Sequence, residues 1–186
     1  MDKKDKGKKN KKKRKSRWIA KIIFWTILLS GSFTIFSDML LRKVNILVAF
    51  VILTMVIFIG IMFDLVGVAV TSATITPFNA MASKKIKGAK TAINLIKNAA
   101  KVSSFCNDVI GDISGILSGT IGVIIAQKII SQLGTDTATI VKIIIAVLIG
   151  TVTIAGKAIG KSIAIENSNE ITYKFARIIF FIKRGR

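Results

Sequence analysis

The sequence contains no histidine and a single cysteine, Cys106, among its 186 residues. A disulfide within the chain is therefore impossible, and metal sites built from Cys and His side chains are excluded. Nucleophilic catalysis lacks its usual base, because neither a Ser-His nor a Cys-His pair can be assembled. These absences disfavour hydrolases and redox enzymes. We predict no enzymatic activity, no catalytic residue and no resident cofactor.

Acidic residues are also scarce, with 9 Asp and Glu against 29 Lys and Arg, so that the formal net charge is +20 although 52% of the residues are hydrophobic. The basic residues concentrate in residues 1–17, around 84–101 and at the C-terminal end. Long runs almost free of charge lie between them. A bilayer requires such segregation, because an unpaired charge in hydrocarbon is costly. We therefore predict an all-α, polytopic integral membrane protein.

Four apolar segments predict membrane-spanning helices within a transmembrane domain over residues 18–164: 18–36, 44–64, 109–130 and 138–156. Residues 44–63 hold no charged side chain, and at ~1.5 Å per residue they reach about 30 Å, one hydrocarbon thickness. The first segment is followed by further spans rather than by a small-residue cleavage site. We interpret it as a retained helix and not as a signal peptide.

Three basic segments flank these spans. Residues 1–17 cannot bury a core and are predicted to be disordered. Residues 77–104, broken at Gly88, predict an amphipathic helical hairpin at the membrane surface, and residues 165–186 predict a basic amphipathic helix. Four spans place all three segments on one side, and the excess of Lys and Arg identifies that side as cytoplasmic. We expect a cell-membrane protein with both termini in the cytoplasm.

Glycines at every fourth position predict close helix packing in two spans. Gly111, Gly115 and Gly119 recur in the third span, and Gly156 and Gly160 recur in the fourth. Small side chains let two helix backbones approach each other in a membrane. We favour packing alone as their role, in a compact bundle that we expect to be a homodimer.

Polar residues also recur where three predicted spans reach the cytoplasmic leaflet: Asp64, Asn107, Asp108, Asp112, Lys157 and Lys161. Each has an ordinary explanation, since Asp108 suits a helix N-terminus and the lysines suit the membrane interface. Asp112 is harder to explain, because it lies a full turn inside an apolar helix.

If this layer binds a cation, its oxygen ligands suit Mg²⁺, Ca²⁺ or Mn²⁺ rather than zinc or copper. The predicted ligands are Asp64, Asn107, Asp108 and Asp112, with Ser72 or Ser104 nearby. Lys157 is a predicted gate or counter-charge.

Three short phrases resemble the transmembrane domain of the cyclin-M/CorB–CorC family, which is linked to magnesium transport: FDLVGVAVTSA at 63–73, SSFCNDVIGDI at 103–113 and GKAIGKSIA at 156–164. The resemblance covers roughly residues 45–182. It implies a bacterial membrane protein with ion ligands at Asp64 and at Asn107 or Asp108. Lys157 stands where the family has a ligand glutamate, and the family's cytoplasmic nucleotide-sensing domains have no counterpart in this sequence.

Two functions therefore stay open from the sequence. One is transport or sensing of a hard divalent cation such as magnesium. The alternative is a non-transporting scaffold or accessory subunit that binds anionic lipid head groups or a partner protein through its lysine-rich tails. Nucleic-acid binding is disfavoured, because no aromatic side chains alternate with the lysines of the N-terminal tail.

Overall fold

The computed structural model describes residues 44–133 and 138–184, together with residues 23–28, 30–32, 34–35 and 39. The predicted tail 1–17, the loop 37–43 apart from residue 39, and most of the linker after residue 130 lie outside the described residues. About half of the first predicted span, 18–36, also lies outside the described residues. The described part of this span, residues 23–28, 30–32 and 34–35, is helical.

Residues 44–133 and 138–184 form helices and short connections without a strand, as predicted. A π-helical segment, Phe105–Gly111, hereafter the π segment, interrupts the series. The α-helices are α1 (Ile46–Ser72), α2 (Thr76–Ser83), α3 (Ala89–Lys97), α4 (Ala99–Ser104), α5 (Asp112–Leu133), α6 (Ala138–Glu166) and α7 (Ser168–Arg184).

Three helices of the described chain are long and apolar enough to cross a membrane: Ile46–Ser72, Ala99–Gln132 and Ala138–Glu166. Their outer surfaces carry large apolar side chains, among which Leu47 and Ile154 each expose more than 70% of their area. A soluble protein rarely leaves such a continuous apolar surface in water. The helices therefore indicate a membrane-embedded protein, as the sequence predicted, with three of the four expected spans in the described residues.

All three of these helices extend beyond the predicted spans. The first continues to Ser72 rather than ending at residue 64. The second begins at Ala99 rather than at residue 109, and the third continues to Glu166 rather than ending near 156. A helix is continued by its backbone hydrogen bonds and needs no apolar side chains to do so. Hydropathy therefore predicts which part of each helix can lie in lipid, but it does not predict where the helix begins or ends.

Helix α1 packs against both α5 and α6. Its contact with α5 is built from buried aliphatic residues: Ala49, Leu53, Ile57, Ile121, Ile124 and Ile125. Gly60 lies so close to α5 that a Cβ added there would stand 2.8 Å from the Ser114 Cβ. Gly156 and Gly160 of α6 similarly lie against Ile61 of α1. Gly156 and Gly160 serve the close packing that the sequence predicted, and Gly60 serves it without having been predicted.

The other glycines of the third span do not all serve this packing. Gly122 packs against Ile149 of α6, whereas a Cβ at Gly115 or Gly119 would meet no described atom within 4 Å. These two glycines line a groove of about 460 Å³ between α5 and α6. Residues four apart on an ideal α-helix differ by about 40° in direction around its axis. A series of glycines with this spacing therefore need not face the same neighbouring helix along its length.

A second, smaller core joins α2 and α3 to α7. Phe78, Ala92 and Ala176 are buried there. The Tyr173 hydroxyl donates a hydrogen bond to the backbone oxygen of Lys87 at 3.3 Å, which ties α7 to the loop between α2 and α3. Gly88 in that loop has φ +88°, a conformation that favours glycine. Gly88 therefore lies in the connection between α2 and α3.

Asn169 joins the beginning of α7 to the connection after α1. Its Oδ1 accepts a hydrogen bond from the backbone N–H of Thr74 at 3.0 Å, and its Nδ2 donates to the Thr74 hydroxyl at 3.4 Å. We expect Asn169→Ala to lower the free energy of unfolding by about 0.5–1.5 kcal/mol. Thermal unfolding in detergent measures this loss, with Asn79→Ala at an exposed site of α2 as control. Equal midpoints for the two variants would contradict the expectation.

Candidate functional site

Asp64 lies on the face of α1 that meets the π segment. Its side chain is almost completely buried, with 4% exposure. Gly60 and Gly67 share this helix face, since they precede and follow Asp64 by four and three residues. They remove the side chains that would hold the neighbouring helix away. The carboxylate therefore lies inside a close contact between two membrane helices.

The π segment supplies the opposite side of this contact. Its wider turn leaves Cys106, Val109 and Gly111 buried. Asn107 is half-buried, and a Cβ added at Gly67 would clash with its carboxamide oxygen. The same carboxamide donates through Nδ2 to the Ser103 hydroxyl at 3.3 Å. Such π-helical turns within α-helices occur frequently at functional sites.

Two lysines of α6 complete the polar layer. The Lys161 Nζ lies 3.8 Å from the Asp64 Oδ2, which is an ion-pair distance but too long for a hydrogen bond. The Lys157 Nζ and the Asp64 Oδ1 both approach Gly111, at 3.6 and 3.9 Å from the position that a Cβ would occupy there. The glycine has no side chain to separate them. The buried carboxylate is thus within ion-pair distance of Lys161, and the Lys157 ammonium group lies near the same glycine.

Two buried oxygens of this layer accept no hydrogen bond from the described protein atoms, the Asp64 Oδ2 and the Asn107 Oδ1. A buried acceptor without a partner typically costs about 1–3 kcal/mol. The two atoms belong to facing helices and are both strong acceptors. Both oxygens therefore remain available to a hydrogen-bond donor or a cation.

Asp108 and Asp112 do not join this layer. Both side chains are exposed, while the buried face of the same helix carries Cys106, Val109 and Ile113. Among the described residues, no three His, Cys, Asp or Glu side chains lie close enough together to hold a metal ion. Of the four predicted ligands, the structure therefore places Asp64 and Asn107 in the contact between α1 and the π segment, and leaves Asp108 and Asp112 outside it.

The nearby serines also differ from the expectation. Ser72 is exposed at the end of α1, and Ser104 is half-buried, whereas Ser103 is the serine that contacts Asn107. Sequence reasoning did not identify Ser103 or the roles of Gly67 and Gly111. The spacing of Gly60, Asp64 and Gly67 was the available signal, since it places the acid between two small residues on one helix face.

Comparisons with protein-family models, with curated proteins and with solved structures find no match for this chain. The resemblance to the cyclin-M/CorB–CorC family thus rests on its three short phrases and stays a prediction.

Proposed function

We propose that this membrane protein transports or senses a hard cation at the layer formed by Asp64 and Asn107, with Lys161 and Lys157 as its counter-charges. One observation carries the proposal: Asp64 is buried within an apolar helix, and its Oδ2 lacks a hydrogen bond. Ionisable groups in membrane helices are costly and usually mark an ion pathway or relay. Magnesium, as cargo, suits the oxygen ligands best.

The charges of the layer imply a competition. One carboxylate and two ammonium groups repel a divalent cation, so a lysine has to move before the cation binds. Lys161 is suited to move, because 52% of its side chain is exposed while the Asp64 side chain stays buried. Its long aliphatic stem can carry the ammonium towards the interface. Lys161, rather than the predicted Lys157, then acts as the gate.

The orientation is part of the same proposal. Asp64 lies near the end of α1 that leads to the lysine-rich segment, and Lys161 lies near the end of α6 that leads to α7. We infer that this end of the bundle faces the cytoplasm, because Lys and Arg favour that side. The cation layer then lies near the cytoplasmic leaflet.

Flux into proteoliposomes tests the proposal. We expect the wild-type chain to admit Mg²⁺ to a trapped fluorescent indicator. Asp64→Asn should reduce the initial rate at least tenfold by removing the only anionic ligand of the layer, and Lys161→Gln should raise it severalfold by removing the competing cation. Glu166→Gln is the matched control, since Glu166 is an exposed carboxylate near the end of α6.

The outcomes are distinct. Absence of Mg²⁺ flux from both the wild type and Lys161→Gln would refute transport. Equal rates for Asp64→Asn and Glu166→Gln would remove Asp64 from the pathway. If Asp112→Asn reduced the rate as strongly as Asp64→Asn, the exposed face of the helix would be the pathway instead.

A scaffold that binds anionic lipid or a partner is the second candidate function. The observation that favours it is a set of exposed lysines in the segment between α1 and the π segment: Lys84, Lys85, Lys87, Lys90, Lys97 and Lys101. Basic residues beside a membrane attract acidic head groups. This candidate gains if deletion of residues 1–15 changes localisation in cells while Asp64→Asn changes neither localisation nor any flux.

A further inference from the structure

A groove of about 410 Å³ lies between the loop that joins α2 to α3 and the end of α7. Its volume falls within the roughly 300–1,000 Å³ typical of ligand sites. Residues from all three elements line it: Ala82, Ser83, Lys85, Ile86, Lys87, Gly88, Lys90, Thr91 and Phe180. It is separate from the cation layer, with which it shares no lining residue.

The groove is strongly basic. Lys85, Lys87 and Lys90 line it, and no acidic residue appears among its lining residues. The Thr91 hydroxyl provides a further hydrogen-bond donor, whereas the Ser83 hydroxyl donates to the backbone oxygen of Ala80 at 2.8 Å. The groove also opens at the beginning of α3, whose partial positive charge has the same sign as the lysines. The chemistry of the lining therefore fits an anion with several acceptor oxygens, such as a phosphate group.

The shape of the loop is held by α7. Lys85 has φ +55° and Gly88 has φ +88°. Gly88 packs so closely on Arg177 that an added Cβ would stand 3.3 Å from its Cα. The hydrogen bond from Tyr173 to the Lys87 backbone fixes the same loop. The lysines are thus presented from a backbone that two contacts with α7 hold in place.

One side of the groove is apolar. Phe180 lines it, and Ile86, Phe181 and Ile182 nearby are exposed. The Arg177 guanidinium lies 5.8 Å from the centre of the Phe181 ring and adds positive charge beside these apolar groups. The loop directly follows α2, and only three residues lie between the end of α1 and the beginning of α2. A molecule bound here would place a charged part among lysines and an apolar part towards the bilayer.

We propose that this groove binds the phosphate head group of an anionic phospholipid, with an acyl chain along Phe180 and Ile86. The site rests on the membrane placement proposed above but not on cation transport. Lys85, Lys87 and Lys90 contact the phosphate oxygens, and the apolar side chains contact the chain. The charge of the groove and its position beside the membrane helices select an acidic lipid over a zwitterionic lipid.

Native mass spectrometry of the full chain in detergent tests this site, with phosphatidylglycerol and phosphatidylcholine as the two probes. We expect one phosphatidylglycerol to bind more tightly than the rest, and K85Q/K87Q/K90Q to weaken it on the order of 100-fold. The matched control K84Q/K97Q/K101Q removes the same charge from the same segment outside the groove, and it should retain the tight lipid. The single variant K90Q, at an exposed helix position, should show a smaller loss if the triple variant does not fold.

Several results would overturn the proposal. The first is that phosphatidylglycerol binds K85Q/K87Q/K90Q and K90Q as tightly as the wild type. The second is that the control triple variant loses as much lipid affinity as K85Q/K87Q/K90Q. The third is that phosphatidylcholine binds as tightly as phosphatidylglycerol. Displacement of the lipid by glycerol 3-phosphate at equal concentration would show that the groove takes a soluble phosphate compound and not a lipid. Asp64→Asn should leave lipid binding unchanged, so failure of this site and failure of the cation layer are distinguishable.

Discussion

Phe78→Ala should destabilise the contact of α2 and α3 with α7 by about 3–5 kcal/mol. The Phe78 ring is 1% exposed and packs beside Ala92 and Ala176. This core lies outside the three apolar helices, and burial of its apolar side chains is favoured by the hydrophobic effect. In a membrane span the same truncation would lose packing but little hydrophobic free energy, because lipid is as apolar as the side chain.

Hydrogen exchange measures this loss locally. Amides of α3 and α7 should exchange much faster in Phe78→Ala, while amides of α1 near Leu53 and Ile57 keep their protection. Phe181→Ala is the matched control, because the Phe181 ring is 51% exposed and its removal leaves no cavity. Unchanged protection of α3 and α7 in the Phe78 variant would show that this core does not hold the segments together.

Gly67→Leu is expected to have the largest effect within the membrane helices. A Cβ at Gly67 would clash with the Asn107 carboxamide oxygen and stand 3.2 Å from the Cys106 Cβ. The π segment would have to move away from α1, and overpacking of this kind typically costs about 1–3 kcal/mol or more. The displacement would also separate Asn107 from the Asp64 side of the contact.

Cys106 provides the measurement, since it is the only cysteine and is buried. A thiol-reactive fluorescent dye should label Gly67→Leu at a lower temperature than the wild type, by roughly 2–4 °C for each kcal/mol lost. Gly119→Ala is the control, because a Cβ there meets no described atom within 4 Å. A shared midpoint for the wild type and Gly67→Leu would mean that α1 and the π segment do not pack as described.

Hydropathy and charge order were enough to predict the helical membrane architecture. Residues 44–63 carry no charge, and lipid accepts such a stretch only as a helix with its own backbone hydrogen bonds. A helix break at Gly88 could be predicted from the sequence because glycine readily adopts positive φ. These features depend on the local chain and on its solvent, so no knowledge of neighbouring helices was needed.

The polar layer could be predicted only in part from the sequence. Depth along a helix placed Asp64, Lys157 and Lys161 at one level, and in the structure the Lys161 Nζ lies 3.8 Å from the Asp64 Oδ2. The direction of each side chain around the helix axis could not be predicted from the sequence, because the π segment changes the turn that carries Asn107 and Asp108. Asn107 is half-buried and the next residue, Asp108, is exposed, because successive side chains of a helix point about 100° apart.

The order of apolar and basic segments by itself determined that this chain forms membrane helices, because burying charge in hydrocarbon is costly whatever the helices contact. Only the tertiary structure decided that Asp64 is the buried acid, that Asp108 and Asp112 lie outside, and that Lys161 makes the ion pair. Those outcomes depend on where α1, α5 and α6 approach each other, and glycines at the contacts set these approaches.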